Sequence, residues 1–92
     1  MKLVDKYLTS KSKASILRYL CKNKDRRFYV SELSEHLKIN KSIVSKLITE
    51  LGSDGIVFID HMGPLKLCKI NLENREVAAI MNIFEEENKV SK

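Results

Sequence analysis

Apolar residues recur along the chain at spacings that alternate between helix and strand. Leu3, Val4, Tyr7 and Leu8 follow i, i+1, i+4, i+5, which predicts a short amphipathic helix over residues 1–10. Ile16, Leu17, Leu20 and Cys21 line one face of a next helix, capped by Ser10 or Ser12, with Lys13, Arg18 and Lys22 outside. Polar residues 22–27 read as a loop, and Phe28, Tyr29 and Val30 as a short strand. Ser31 offers an N-cap, Glu32 suits the first turn, and Leu33 and Leu37 share a face of a two-turn helix. Lys38-Ile39-Asn40 breaks it, and Asn40 caps a further helix. There Ile43, Val44, Leu47, Ile48 and Leu51 form an apolar face, with Lys41, Ser42, Ser45, Lys46 and Thr49 on the other.

Gly52 and Gly55 close that helix in a turn. Residues 56–59 and 65–70 are β-rich and flank His61-Met62-Gly63-Pro64, which predicts a hairpin with a four-residue loop. In its second strand Leu65 and Leu67 share one face, while Cys68 and Ile70 share the other. Either a bulge or burial on both sides accounts for that. Asn71 is placed to cap a last helix, with Glu73 in its first turn and Asn74 at its third position. From Val77 to Phe84 only Asn82 is polar, so this helix should be buried on more than one side. A 92-residue chain has too small a core for that, which points to a partner surface.

The order of helix, short strand, helix, tight turn, helix, hairpin and helix frames one stretch, Ser31 to Val57. It holds two leucines four apart, a turn, Ser42-Ile-Val-Ser-Lys-Leu47, and then Leu51 and Asp54-Gly-Ile-Val57. This resembles the winged helix-turn-helix of prokaryotic transcription regulators, above all the ArsR-like and MarR-like families. The resemblance covers residues 13–71. Where members often carry Gly in the turn between the two helices, this chain has Lys38. A positive φ there would cost on the order of 1 kcal/mol and add a cation beside the turn.

The resemblance implies an α+β, mostly α fold: a winged-helix core over residues 11–71, an N-terminal helix over 1–10 and a C-terminal dimerisation helix over 72–88. It implies sequence-specific binding of double-stranded DNA, with the helix after Asn40 in the major groove, where each base pair shows a distinct donor–acceptor pattern. Ser42 and Ser45 allow close approach, Lys41 and Lys46 reach phosphates or guanine edges, and Thr49 stands one turn further along. Lys38 adds a phosphate contact, and the helix start at Ser31 offers backbone N–H groups to another. His61 and Lys66, on the wing, would lie over the adjacent minor groove or backbone. Leu3, Tyr7, Leu8, Val77, Ile80, Met81 and Phe84 would form the surface of a homodimer. Such a dimer presents two reading helices about one DNA turn apart, roughly 34 Å, over an inverted repeat. Repression is the commoner outcome in these families.

Composition sharpens this reading. The chain carries 17 Lys and Arg against 12 Asp and Glu, a net charge of +5. Residues 1–28 hold +7, residues 29–71 sum to zero and residues 72–92 hold −2. The helix-turn-helix and wing must therefore work through a few placed residues, while the N-terminal excess assists encounter with an anionic partner. Lys24, Arg26 and Arg27 are its best candidates for backbone contact. No run of 18 apolar residues and no secretory signal occur, so a cytoplasmic protein without a membrane span is expected.

Cys21 and Cys68 are too few for a disulfide scaffold and sit among apolar neighbours, as buried thiols do. Neither the paired cysteines nor the terminal-helix Asp/His pairs of metal-sensing ArsR-like proteins occur, so neither metal nor cofactor is expected. No phosphate-binding, dinucleotide, zincin or nucleophile-elbow motif is present, which argues against an enzyme. The rival reading is a winged-helix module that binds protein in a transcription or replication assembly. A redox or ligand sensor of the same fold is a third.

Overall fold

The computed structural model describes Tyr7 and residues 10–90, with side chains as far as residue 87. In chain order the elements are α1 (Lys11–Lys22), β1 (Phe28–Tyr29), α2 (Val30–Leu37), α3 (Lys41–Ser53), β2 (Val57–Met62), β3 (Leu65–Ile70) and α4 (Arg75–Val90). The strands form one antiparallel sheet in the order β1-β3-β2. This is a winged-helix fold, mostly helical, with the β2–β3 hairpin as the wing.

α1, α3 and α4 each begin where a side chain takes up an unbonded N–H of the first turn. Ser10 accepts from Lys13 N at 3.2 Å, and Asn40 Oδ1 accepts from Ser42 N at 2.8 Å. α2 starts two residues earlier than its sequence suggests. Tyr29 is the N-cap residue, and Glu32 reaches back to accept the Tyr29 N–H at 2.9 Å. Ser31 therefore lies inside the first turn and is not the cap. α2 ends on Lys38, which takes the left-handed conformation at φ 60°.

α4, in contrast, starts later than expected, at Arg75 and not near residue 72. Asn74 is its cap and accepts from Glu76 N at 2.7 Å, while Asn71 accepts from Glu73 N in the turn before. Both amides donate to the Gly55 carbonyl, at 2.9 and 3.0 Å. The α3–β2 turn is thereby tied to the start of α4. Gly55 itself sits at φ +75°.

One core joins these elements. Ile16, Leu17, Leu20, Phe28, Leu33, Val44, Ile48, Leu51, Ile56, Ile70, Val77 and Ile80 are all within 2% of complete burial. Burying one such side chain contributes roughly 1.5–3 kcal/mol. Two residues depart from the expected placement, although both follow the helical period. Lys13, expected outside, is only 9% exposed and pairs with Glu50 of α3 at 3.2 Å. Ile43, expected on the inner face of α3, is 47% exposed. The buried stripe of α3 is Val44, Ile48 and Leu51, and Ile43 falls about 100° of helical turn away from its first member.

The wing is longer and tighter than a four-residue loop allows. Its register runs unbroken from Val57↔Ile70 to Met62↔Leu65, so only Gly63 and Pro64 form the loop. Gly63 at φ +62° before proline suits a type II′ turn. The slipped alternation of β3 is no bulge. β3 is the central strand: Cys68 and Ile70 face the core, while Leu67 is half-buried on the opposite face, in register with Tyr29 and Asp60.

α4 satisfies much of its apolar length within the chain. Val77, Ile80 and Phe84 belong to the core and Met81 packs against it. Tyr7 is buried there too. Val77, Ile80, Phe84 and Tyr7 are thus largely covered by their own chain, and little of their surface is left for the dimer contact expected of them. Leu3 and Leu8 lie outside the described residues. The apolar side chains that α4 and the turn before it leave exposed are Leu72, Ala78, Ala79 and Ile83.

Candidate nucleic-acid interface

α3 is fastened on one side and open on the other. Val44, Ile48 and Leu51 hold it to the core. At 100° per residue, Ser42, Lys46 and Thr49 stand opposite that stripe, and all three are exposed. Ser45 flanks them on the side nearer the wing. Glu50 and Ile43 flank them on the other, where Glu50 meets Lys13. Lys41 is exposed at the helix start.

The wing reaches this helix through one side chain. Lys66 shares its face of β3 with Cys68 and Ile70. Its ammonium donates to Ser45 Oγ at 3.0 Å and to Thr49 Oγ1 at 2.8 Å. Thr49 donates in turn to the Ser45 carbonyl at 2.9 Å. The Ser42 hydroxyl donates to Asn40 Oδ1 at 2.6 Å, so it is bound up in the cap of α3. His61 lies opposite Lys66 in register and is exposed. A small cavity of about 100 Å³ lies where α2, α3 and the wing tip meet, lined by Ser31, Lys41, Ser45, Pro64, Leu65 and Lys66 among others.

The structure therefore gathers Ser31, Lys41, Ser45 and Lys66 around one small hollow, and Ser42, Lys46 and Thr49 on the adjoining outer face. His61 is at the wing, and Lys38 is exposed at the α2–α3 turn. Sequence reasoning missed Ile43 as a member of this surface. The signal was available, since Val44, Ile48 and Leu51 alone make a clean i, i+4, i+7 stripe that leaves Ile43 off centre.

The N-terminal cations are less available than their number suggests. Arg26 pairs with Glu32 at 2.8 Å and lies over the Phe28 ring, and Arg27 is 3.4 Å from Asp60. Arg18 pairs with Glu87 at 2.6 Å and covers Phe84. Of the three cations expected to meet the DNA backbone, Arg26 and Arg27 thus have carboxylate partners within the chain.

Both thiols are buried, Cys21 in α1 and Cys68 in β3. Burial pushes the Cys21 thiol up to about 11. Cys68 is pushed up to about 12, first by burial and then by the Glu32 charge. Neither is a reactive thiolate at neutral pH. Among the described residues no group of three or more His, Cys, Asp or Glu is placed to hold a metal ion. None of the described helices is long and apolar enough to cross a membrane.

The model of the bacterial regulatory protein arsR family matches residues 10–57, more than half of the chain. The chain belongs to that family. The matched segment runs from the cap of α1 to the first residue of the wing, so it contains the helix-turn-helix built from α2 and α3. Members are DNA-binding transcription regulators and not enzymes. Solved structures agree on the fold. HlyU from Vibrio cholerae N16961 is 23% identical with a TM-score of 0.70, over 88% of this chain and 83% of that one. The antimony-specific transcriptional repressor AntR gives a TM-score of 0.76 at 16% identity, over 95% of this chain and 78% of that one. The heme sensor PefR from Streptococcus agalactiae, in complex with heme, gives 0.65 at 20% identity, over 89% of this chain and 58% of that one. No curated protein sequence matches the chain significantly.

Proposed function

We propose that the chain is a homodimeric, sequence-specific repressor that reads an inverted repeat in double-stranded DNA within the cytoplasm. The observation that carries this reading is the orientation of α3. Its apolar stripe is sealed in the core, while Lys41, Ser42 and Lys46 stand exposed beside a wing that contributes Lys66 and His61. A helix so mounted fits the major groove. Ser42, Ser45 and Lys46 meet base edges, and Ile43 meets a thymine methyl. Lys41, Lys38 and the first-turn N–H groups at Ser31 meet phosphates. The wing then lies along the adjacent minor groove or backbone.

Regulators of this family usually bind DNA as dimers. The second copy would seat on the exposed stripe of α4, around Ala79 and Ile83, together with the N-terminal segment. A single module of this size makes few base contacts, and two of them supply the affinity that a genomic site demands. Occupancy of the operator would then exclude polymerase. Antimony and heme belong to AntR and PefR. In this chain Cys21 and Cys68 are buried thiols with raised pKa values, which supports neither signal through them.

Selection of bound sequences from random double-stranded DNA tests the reading. It should return one motif whose halves are inverted copies about one helical turn apart. A motif without symmetry would remove the dimer on an inverted repeat, and no motif at all would favour the protein-interaction module. Sedimentation at micromolar concentration should show twice the chain mass.

A further inference from the structure

The hydroxyls on the outer face of α3 are not interchangeable, because their partners inside the protein fix what each can still do. A serine hydroxyl has one proton to give and lone pairs to accept with. Asn40 Oδ1 can only accept, so the 2.6 Å contact uses the Ser42 proton and leaves Ser42 Oγ as an acceptor. The Lys66 ammonium can only donate, so its 3.0 Å contact uses one of the two lone pairs of Ser45 Oγ, and its positive charge disfavours a second donor at the other. No acceptor among the described residues takes the Ser45 proton, which makes Ser45 an outward donor. Thr49 is used twice over: it accepts from Lys66 at 2.8 Å and donates to the Ser45 carbonyl at 2.9 Å.

We propose that Lys66, a residue of the wing, is a specificity-determining residue of the reading helix: it biases Ser45 towards hydrogen-bond donation, while Asn40 fixes Ser42 as an acceptor. This rests on the DNA-reading function proposed above. The two serines then read base edges of opposite kind. Ser42 favours an exocyclic amino group in the major groove, as on adenine or cytosine. Ser45 favours an acceptor edge, as on guanine or thymine. Lys66 acts on sequence preference through Ser45, although it lies on a different element.

The test determines base preferences from random double-stranded DNA for the wild-type chain and for Ser42→Ala, Ser45→Ala, Lys66→Met and Lys66→Arg. Ser45→Ala and Lys66→Met should both relax, by about fivefold, the preference for guanine or thymine at one and the same position. Other positions should be unchanged. Ser42→Ala should relax a different position, where the wild type prefers adenine or cytosine. Lys66→Arg, which keeps N–H donors at that reach, should restore the wild-type preference. The proposal is overturned if Lys66→Met keeps every base preference and weakens binding uniformly, with the log–log salt slope reduced by about 0.9, because Lys66 is then only a phosphate anchor. A wild-type chain that selects no sequence overturns the DNA-reading function itself.

Discussion

Lys13 of α1 and Glu50 of α3 meet across 3.2 Å, and the two ends of that contact differ in environment. The Lys13 side chain is 11% exposed and that of Glu50 is 45% exposed. The ammonium therefore depends on its partner, whereas the carboxylate is half in water. Glu50→Gln leaves a nearly buried cation without its counter-charge and should cost about 1–2 kcal/mol. Lys13→Met keeps the aliphatic stem and releases a hydrated carboxylate, at about 0.5 kcal/mol or less. Urea unfolding of both variants checks the order, and a larger loss in Lys13→Met would show that the pair is governed from the Glu50 side.

That contact also shows where sequence reading stopped. Lys13 lies three and four residues before Ile16 and Leu17, on the buried stripe of α1, but its charge argues against burial until its partner is known. That partner, Glu50, stands 37 residues on. The same holds for Lys66, whose partners Ser45 and Thr49 lie on another element. The helix-turn-helix itself was legible, because Leu33, Leu37, Asn40 and the Val44–Ile48–Leu51 stripe are local signals of period and capping. The division of α4 was not legible: its apolar run gives no sign of which residues the chain covers itself, and the structure puts Val77, Ile80 and Phe84 in the core and leaves Ala78, Ala79 and Ile83 exposed.

Gly52 lies in the last turn of α3 against the wing. A Cβ added there would stand 2.5 Å from Ile59 Cδ1 and 3.2 Å from Ile59 Cγ1. Alanine gains up to about 1 kcal/mol of helix propensity, and overpacking against Ile59 offsets it by about 1–3 kcal/mol. Gly52→Ala alone should therefore destabilise. In an Ile59→Val background, which removes Cδ1, the same change should be neutral or stabilising. Additive effects in a double-mutant cycle would show that the two side chains do not meet.

Lys38 holds a left-handed conformation at φ 60° in the turn between α2 and α3. Glycine adopts it without the Cβ penalty, so Lys38→Gly should raise stability by about 0.5–1 kcal/mol even after its greater unfolded-state freedom. DNA affinity should fall by a few-fold, since a cation beside the reading helix is lost. Thermal unfolding and DNA titration on the same sample separate the two effects, and a fall in stability would mean that Lys38 makes a compensating contact.

Alkaline pH should unfold the chain gradually from about pH 9. Cys21, Cys68 and Tyr7 all have raised pKa values in the folded state, the last to about 12 through burial and the charges of Asp54 and Glu76. Below their ordinary values, 9.0 for the thiols and 10.0 for the phenol, both folded and unfolded forms are protonated. Above them the unfolded chain ionises first, and stability falls until the folded values near 11 to 12 are passed. Urea midpoints between pH 8 and pH 11 should show this fall, and Cys68→Ala should flatten it. A stability that rises over that range would contradict the assignment.

The central claim is that the exposed face of α3 meets DNA. Its most direct measurement is fluorescence anisotropy of the selected duplex, titrated with the wild type, Lys41→Ala and Lys46→Ala across salt concentrations from about 50 to about 200 mM. The account predicts that log affinity falls linearly with log salt. Both variants should bind more weakly, and each lysine that touches phosphate should lower the slope by about 0.9. Wild-type affinity and slope in both variants would contradict it.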